Sequence, residues 1–348
     1  MNIKRLLPII ITAAVLMLSG CGKEVGENNS MQISEVIPNS NIEELEVGLS
    51  AVSVEGDYRF DEFLQQGGAN SDSGVVEFLY GNISDSSVFK NIFGCSTLST
   101  VTDSGEAMFG RNFDWQKCNA MIVSAKPDNG YASISTVNMD FIPSVNKLPD
   151  NIKTLAALYA PLDGMNEKGL CVSVNMIQDS DGIEQNSERD DITTTTAIRM
   201  LLDKAADTDE AVRLLGGYDM HASKGMMVHF AIADNKGKSV VVEYIDNEMS
   251  VVETPVVTNF YLTEGEKYGV GTGQSRERYE ILTELLANNP PKDTEDMRNA
   301  LDSVSKDNFN EFESTEWSIV FNQSRGEAVY YHREDYTKEY SFRVGEQL

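Results

Sequence analysis

The chain has 348 residues, of which 41% are hydrophobic and 24% are charged. This is the composition of a globular protein, and the length suffices for one large domain or two small ones. The formal net charge is −27. Nucleic-acid backbones are bound by clustered Lys and Arg side chains that replace counterions, so this charge argues against a nucleic-acid partner.

The N-terminus has the pattern of an export signal. Lys4 and Arg5 form a basic start, and residues 6–18 are an apolar run, shorter than the roughly 20 residues of a membrane-spanning helix. The following Leu18-Ser19-Gly20-Cys21 resembles the lipobox of bacterial lipoproteins. We therefore expect residues 1–20 to be a lipoprotein signal peptide, and a lipid on Cys21 to anchor an extracytoplasmic protein to the cell membrane. A plain secretory signal is the alternative.

Two segments of different composition follow. Residues 21–45 are polar, acidic and poor in aromatic side chains, which is typical of a solvated tether. Residues 46–94 regain hydrophobic side chains. Tyr58, Phe60 and Phe63 have helical spacing, whereas 75–80 fits either a strand or a helical turn.

A β-hairpin is predicted over residues 94–115. β-branched and apolar residues stand on both sides of Asp103-Ser104-Gly105, a turn in which glycine can supply a positive φ. The hairpin puts Cys95 at the start of one strand and Arg111 and Asp114 at the end of the other. A thiol, a guanidinium and a carboxylate can thus converge, which is an arrangement that activates a nucleophile.

These residues carry a family resemblance. Gly94-Cys95-Ser96, followed by Gly110-Arg111-Asn112-Phe113-Asp114-Trp115, resembles the N-terminal-nucleophile (Ntn) cysteine hydrolases. The nearest groups are the linear amide C–N hydrolases: choloylglycine (bile salt) hydrolases, penicillin V acylases and acyl-CoA:6-aminopenicillanic acid acyltransferases. The resemblance implies an α+β fold, the αββα four-layer sandwich, for a hydrolase domain over residues 95–348. It implies no cofactor and no metal, and the chain has no His-x-x-x-His or Cys-x-x-Cys zinc spacing.

The resemblance also implies a mechanism. Residues 46–94 would be a propeptide, and cleavage between Gly94 and Cys95 would free the α-amine of Cys95. An α-amine has a pKa of about 8, so it can act as a general base and take the proton of the thiol. The thiolate would then form a thioester with the acyl group of an amide. Asp114 would orient the amine, and Arg111 would favour the thiolate.

The resemblance adds two asparagines to the predicted site. Residues 163–170 match the Asp-Gly-hydrophobe-Asn-Glu-Lys-Gly-Leu motif of bile salt hydrolases, so Asn175 falls where that family has an oxyanion-hole Asn. Amide donors aimed at a tetrahedral oxyanion stabilise it strongly. Val257-Thr258-Asn259 resembles the segment that brings a second Asn, which makes Asn259 the next candidate.

An arginine near the C-terminal third completes the predicted site. Residues 273–279 open a helix and resemble the family's Ser…Arg-aromatic signature. We choose Arg278 because Tyr279 follows it, and keep Arg276 as the second choice. The remaining patterns predict strands over 120–125, 131–137, 226–233, 239–245 and 251–258, helices over 152–159, 193–206 and 209–215, and a closing hairpin of 316–322 and 327–332.

Other classes of protein stay open at this stage. A papain-like hydrolase needs a histidine near its cysteine, but His221, His229 and His332 stand in no recognisable motif. An acyltransferase that uses the same thioester, or a non-catalytic ligand-binding lipoprotein on the same fold, would have the same sequence pattern. Cys118 and Cys171 are expected to be buried free thiols, with a disulfide between them left open.

The expected partner is a small-molecule N-acyl amide. Bile salts, penicillin V and N-acyl amines all suit an acyl pocket beside such a nucleophile, and the sequence does not choose among them. It also does not decide whether copies of the chain form a homo-oligomer.

Overall fold

The structure, a computed structural model, describes residues 41–81, 94–178, 180–306 and 314–348. The predicted signal peptide, the predicted lipidation site Cys21 and the tether up to residue 40 lie outside the described residues. Within the described ranges, no helix combines the length and apolar character needed to cross a membrane.

Most strands belong to two β-sheets. The strands are β1 Glu43–Glu46, β2 Leu49–Glu55, β3 Gly94–Val101, β4 Ala107–Trp115, β5 Ala120–Lys126, β6 Ser133–Asn138, β7 Asp163–Asn166, β8 Cys171–Met176, β9 Asp191–Thr193, β10 Asp219–His221, β11 Val228–Ala233, β12 Ser239–Ile245, β13 Glu248–Glu253, β14 Val256–Val257, β15 Ser314–Asn322, β16 Glu327–His332 and β17 Tyr340–Arg343. One sheet has nine strands in the order β1-β2-β5-β6-β7-β8-β11-β12-β13, and the other has six in the order β14-β3-β4-β15-β16-β17. β9 and β10 form a separate parallel pair.

Helices cover the outer faces of the sheets. The α-helices are α1 Phe60–Gln65, α2 Asp72–Tyr80, α3 Asp150–Leu158, α4 Thr194–Lys204, α5 Thr208–Leu215, α6 Gly273–Asn288 and α7 Thr294–Asp302. α4 and α5 pack on the nine-stranded sheet, whereas α6 and α7 pack on the six-stranded sheet. A large apolar core contains side chains of both sheets, and a smaller one lies under α6 and α7. These layers form the predicted αββα sandwich.

The central strands are covered on both faces. β4 and β15 are buried at every position, because one face packs against the second sheet and the other against helices. Such strands do not show the alternation of polar and apolar residues that a half-exposed strand has. Arg111, Asn112 and Asp114 lie in β4 and are fully buried, so each of these polar side chains needs partners inside the protein.

Two strands that precede Gly94, β1 and β2, are part of the nine-stranded sheet. β2 pairs with β5 in parallel, from Leu49 opposite Ala120 to Glu55 opposite Lys126, and β1 pairs with the other edge of β2. β1 also crosses residue 45, the boundary between the predicted tether and the predicted propeptide. The 75–80 stretch is helical and belongs to α2.

The chain crosses from one sheet to the other after β13. We predicted one continuous strand over 251–258, and this was wrong: β13 ends at Glu253 in the nine-stranded sheet, and β14 pairs with β3 in the six-stranded sheet. Pro255 lies between the two strands and has no N–H to continue a ladder. The crossing carries the chain past β3 and delivers Asn259 beside Cys95.

Candidate active site

The predicted hairpin forms and sets the faces of the site residues. β3 and β4 are antiparallel, with Cys95 opposite Phe113 and Gly94 opposite Asp114. Because side chains alternate along a strand, Cys95 and Arg111 share the face toward the nine-stranded sheet, and Asp114 lies on the helix-covered face. The thiol and the carboxylate therefore stand on opposite sides of the sheet, with the backbone of Cys95 between them.

Arg111 is held by four acceptors. Its Nη1 donates to Asp163 Oδ2 and to the carbonyl of Leu162, both at 2.6 Å, and its Nη2 donates to the carbonyl of Val174 at 2.9 Å. The same Nη2 lies 3.7 Å from Cys95 Sγ. Arg111 and Asp163 are both fully buried. The guanidinium is thus fixed with one edge against the thiol.

Asp163 is a site residue that the sequence analysis did not single out. Besides Arg111, its Oδ2 accepts a hydrogen bond of 3.0 Å from Trp317 Nε1. The carboxylate offsets the charge of Arg111 in the interior, where an isolated guanidinium would be strongly destabilised. The sequence feature that could have indicated Asp163 is its position as the first residue of the 163–170 motif.

The thiol of Cys95 is protonated in the uncut chain at neutral pH. Burial raises the pKa of Cys95, and the neighbouring charge of Arg111 only partly offsets this effect. A buried thiol of this kind needs a base before it can act as a nucleophile. None of the three histidines hydrogen-bonds to it: His221, His229 and His332 all have carboxylate partners elsewhere.

Asn259 contacts the backbone nitrogen of Cys95 directly. Its Oδ1 accepts from Cys95 N at 2.7 Å and from Arg278 Nη2 at 2.9 Å, while its Nδ2 donates to the carbonyl of Met176 at 2.7 Å. Among the described residues, Asn175 makes no such hydrogen bond with Cys95. Its Nδ2 donates to the carbonyl of Val257 at 3.1 Å. Asn175 therefore fixes the strand that precedes Asn259.

Of the two candidate arginines, Arg278 lies in the site. Its Nη1 donates to the carbonyl of Cys95 and to Ser96 Oγ, both at 2.6 Å, and lies 3.5 Å from Asp114 Oδ2. Arg276 is exposed and donates to the carbonyl of Gly269. Two positions along helix α6, about half a turn, thus separate a surface guanidinium from a buried one.

This difference gives a matched test. Arg278→Lys keeps the charge but loses the planar fork that reaches several acceptors, so kcat/KM is expected to fall about tenfold to a hundredfold. Arg276→Lys is expected to stay within about twofold of wild type, because exposed side chains of this kind contribute little. Steady-state kinetics with one amide substrate compares them, and equal effects of the two changes would contradict this placement of Arg278.

Gly94 is packed against Asp114. Asp114 Oδ1 accepts from Thr315 Oγ1 at 2.7 Å, and Oδ2 accepts no hydrogen bond from any residue that the structure describes. A Cβ atom built on Gly94 would overlap Asp114 Oδ2 and would lie 2.7 Å from Lys306 Nζ. Any larger residue at position 94 would force these side chains or the backbone to move. An oxygen with spare acceptor capacity therefore stands next to the peptide bond that precedes Cys95.

His229 and Glu243 support the segment that carries Asn259. His229 Nε2 lies 2.8 Å from the carbonyl of Thr258, and its Nδ1 lies 2.9 Å from Glu243 Oε1. Glu243 in turn accepts from the backbone nitrogens of Leu262 and Thr263 and from Thr263 Oγ1. The pair therefore ties β11 and β12 to the chain on both sides of Asn259. No sequence motif pointed to it.

Glu243→Gln is expected to destabilise the protein in a pH-dependent way. Burial raises the pKa of Glu243, but hydrogen bonds from His229 and Thr263 outweigh burial and hold it below its usual range. A lowered carboxyl pKa stabilises the fold above the unfolded-state pKa of about 4.3, and this contribution is lost as the pH falls through the lower, folded-state value. The variant should lose about 1.5–3 kcal/mol of unfolding free energy at pH 7.

Urea unfolding of Glu243→Gln and of the exposed control Glu248→Gln, at several pH values, measures this effect. The difference between wild type and Glu243→Gln should shrink as the pH is lowered below about 4. A difference that stays constant over this range would rule out the ionised carboxylate as its source.

An apolar pocket opens at Cys95. Its empty space, which includes part of the open mouth, is about 900 Å³. Apolar side chains line most of it, among them Phe113, Leu162, Val174, Met176 and Val228. A smaller polar group also lines it, namely Asp72, Thr194, Thr195, Ser223 and Lys224. Such a lining suits a substrate with an apolar body.

Cys118 and Cys171 are free and buried, as expected. Neither Cys118 nor Cys171 forms a disulfide. Burial raises the pKa of each thiol well above its ordinary value, so both are protonated and unreactive at neutral pH. In the described part of the chain, no group of three or more His, Cys, Asp or Glu side chains is placed to hold a metal ion.

Comparisons with solved structures agree with this fold. The conjugated bile acid hydrolase of Clostridium perfringens, in a mutant form, is 17% identical and superposes with a TM-score of 0.56, covering 73% of this chain and 93% of the other. Penicillin V acylase of Agrobacterium tumefaciens is also 17% identical, with a TM-score of 0.50, 72% of this chain and 86% of the other covered. At this identity the similarity shows the fold alone. A search of curated proteins gave no match.

The family follows from a separate match. The model of the linear amide C–N hydrolases, choloylglycine hydrolase family, matches residues 95–266. The match begins at Cys95 and includes Arg111, Asp114, Asn175 and Asn259. Residues 95–266 therefore carry the domain of the choloylglycine hydrolase family of linear amide C–N hydrolases, and the protein is a hydrolase that acts on linear amides.

Proposed function

We propose that the protein is a self-processed cysteine amidohydrolase that cleaves N-acyl amides with an apolar acyl group through a thioester on Cys95. One observation carries the proposal. Cys95 lines an apolar pocket, and Arg111 contacts its sulfur. Asn259 accepts a hydrogen bond from its backbone nitrogen, and Asp114 lies beside the peptide bond that precedes it.

Processing would convert the nitrogen of Cys95 from an amide into an amine. The sulfur of Cys95 would attack the carbonyl carbon of Gly94 while its proton passes to the nitrogen of the scissile peptide, the C–N bond would break, and that nitrogen would leave as the free α-amine. Water would then hydrolyse the thioester and release Gly94 as a carboxylate. The new amine, as an ammonium, would gain Asp114 Oδ2 as a hydrogen-bond acceptor and keep Asn259 Oδ1.

Amide hydrolysis would follow the same steps with a substrate. The α-amine takes the thiol proton, and the thiolate, favoured by Arg111, adds to the substrate carbonyl. The second N–H of the Asn259 side-chain amide can stabilise the oxyanion, while Asn175 holds the strand that precedes Asn259. The ammonium returns its proton to the leaving nitrogen as the C–N bond breaks, and water hydrolyses the thioester. An amine acceptor in place of water would make the enzyme an acyltransferase.

Trapping the thioester tests this proposal. Wild-type protein is mixed with a chromogenic N-acyl amide, quenched in acid and digested, and the Cys95 peptide is weighed by mass spectrometry. It should gain the mass of the acyl group minus one hydrogen. Glycocholate, penicillin V and simple N-acyl amines are the comparison substrates, and adding an amine shows whether the acyl group passes to an acceptor other than water. Turnover without acyl on Cys95 would overturn the proposal.

We also propose that the protein is exported and lipid-anchored through Cys21. The support is the basic start, the short apolar run and the Leu18-Ser19-Gly20-Cys21 pattern. Labelling of cells with a fatty-acid analogue should mark the wild-type protein and leave Cys21→Ser unmarked. Equal labelling of both, or of neither, would contradict the anchor.

A further inference from the structure

One wall of the pocket comes from the segment that precedes the proposed cleavage point. Helix α2 contributes Asp72, Val75, Val76, Leu79 and Tyr80 to the pocket that Cys95 also lines. These positions follow the i, i+3, i+4, i+7, i+8 spacing of one helix face. Glu77 is exposed and absent from the pocket lining. The inner face of α2 is thus part of the same cavity as the nucleophile.

The rest of the pocket lining belongs to the chain after Cys95. Ala156, Tyr159 and Ala160, at the end of α3, line the pocket together with Met226 and Val228. An acyl group in this pocket would therefore contact residues from both sides of the proposed cleavage point.

The backbone of the N-terminal segment holds it in place. β2 forms seven parallel residue pairs with β5, from Leu49 to Glu55. Beyond the strands, Gly56 N donates to the carbonyl of Lys126 at 3.0 Å, and Asp191 N donates to the carbonyl of Gly67 at 3.0 Å. None of these bonds involves the Gly94–Cys95 peptide, so breaking that peptide leaves them intact.

Side chains hold the segment near the pocket. Tyr58 Oη donates to the buried carboxylate of Asp203 at 2.7 Å, and Tyr159 Oη donates to the carbonyl of Tyr58 at 3.0 Å. The rings of Phe60 and Phe63 pack edge-on against Tyr159, with centroids 5.3 and 5.6 Å from it. Edge-to-face pairs and buried apolar area both stabilise such an interface.

The N-terminus of α2 is fixed as well. Lys224 N donates to Asp72 Oδ2 at 2.7 Å, and both residues line the pocket. The Ser71 side chain accepts from Gly74 N and caps the helix. The first turn of α2 is therefore positioned by a residue of the chain that follows Cys95.

We infer that the segment over residues 41–81 remains bound after cleavage as a non-covalent subunit, and that α2 sets the length of acyl group the enzyme accepts. This inference rests on the proposed function. Under it, Val76, which is only half-buried in α2, contacts the far part of an apolar acyl chain, and the size of its side chain limits that part. The segment is then a lasting part of the enzyme rather than a discarded propeptide.

A series of N-acyl amides of increasing acyl length tests the specificity. For Val76→Trp, the ratio of kcat/KM for a long acyl chain to that for a short one should fall at least tenfold, since a single methylene in an apolar pocket is worth about tenfold or more. Val76→Ala should shift the optimum to longer chains. Glu77→Ala, on the exposed face of the same helix, should leave the ratio unchanged.

Two outcomes overturn the inference, and they differ from failure of the proposed function. A long-to-short ratio that does not change in Val76→Ala and Val76→Trp would exclude α2 as the length determinant. Active cut enzyme that elutes from size exclusion without the N-terminal fragment, visible on a denaturing gel, would exclude a retained subunit. If the wild type shows no thioester at Cys95, the proposed function itself fails.

Discussion

Replacing Cys95 by alanine is expected to leave the chain uncut at residue 94 and to abolish amide hydrolysis. The change removes the sulfur that would attack the carbonyl of Gly94 and the sulfur that would carry the acyl group. In hydrolases that form a covalent acyl intermediate, removal of the nucleophile lowers kcat by about six orders of magnitude. Intact mass and steady-state kinetics on the purified variant measure the two effects.

Cys171→Ala is the matched control for this variant. Cys171 is another free, fully buried thiol, but it lies in β8 rather than in the hairpin of β3 and β4. Alanine fills most of the same space, so this control should fold, be cut and hydrolyse amides. Amidase activity that survives in Cys95→Ala would remove Cys95 from the mechanism, and loss of activity in both variants would point to misfolding.

Replacing Gly94 by valine is expected to block processing almost completely. A Cβ at position 94 would overlap Asp114 Oδ2 and crowd Lys306 Nζ, and because Asp114 is buried and held by Thr315, we expect the peptide bond to be displaced. A displacement of about 1 Å can cost a reaction a hundredfold, and valine brings further methyl groups. The variant should therefore accumulate as the uncut chain, with little amidase activity, as shown by a time course on a denaturing gel.

Gly273→Ala is the control for the glycine change. Gly273 lies at the start of α6, and a Cβ there would meet no atom within 4 Å. This control should be processed at the wild-type rate. Normal cleavage of Gly94→Val would show that the carboxylate of Asp114 does not press on the scissile peptide.

The hairpin and its three site residues could be predicted from the sequence because they are local. The turn over Thr102–Glu106, the β-branched flanks and the spacing of Cys95, Arg111 and Asp114 lie within one stretch of chain. Asn259 and Arg278 are distant in sequence and reached the prediction only through family resemblance. The structure brings both of them to the backbone of Cys95.

Other features depend on tertiary contacts that no local pattern encodes. β2 is short and joins the sheet in parallel through β5, a partner much later in the chain, so its pairing could not be deduced from Leu49–Glu55 itself. Asp163 matters because it meets Arg111, and His229 because it meets Glu243 and Thr258. Each is a buried polar residue whose partner comes from another strand or loop.

The most direct test of the account is the N-terminus of the active enzyme. Wild-type protein is purified with its amidase activity, and intact mass together with N-terminal sequencing identifies its chains. We predict a chain that begins with a free amine at Cys95, together with the fragment that ends at Gly94. Full activity in a protein whose Gly94–Cys95 peptide bond is intact would contradict the claim that the α-amine of Cys95 is the base.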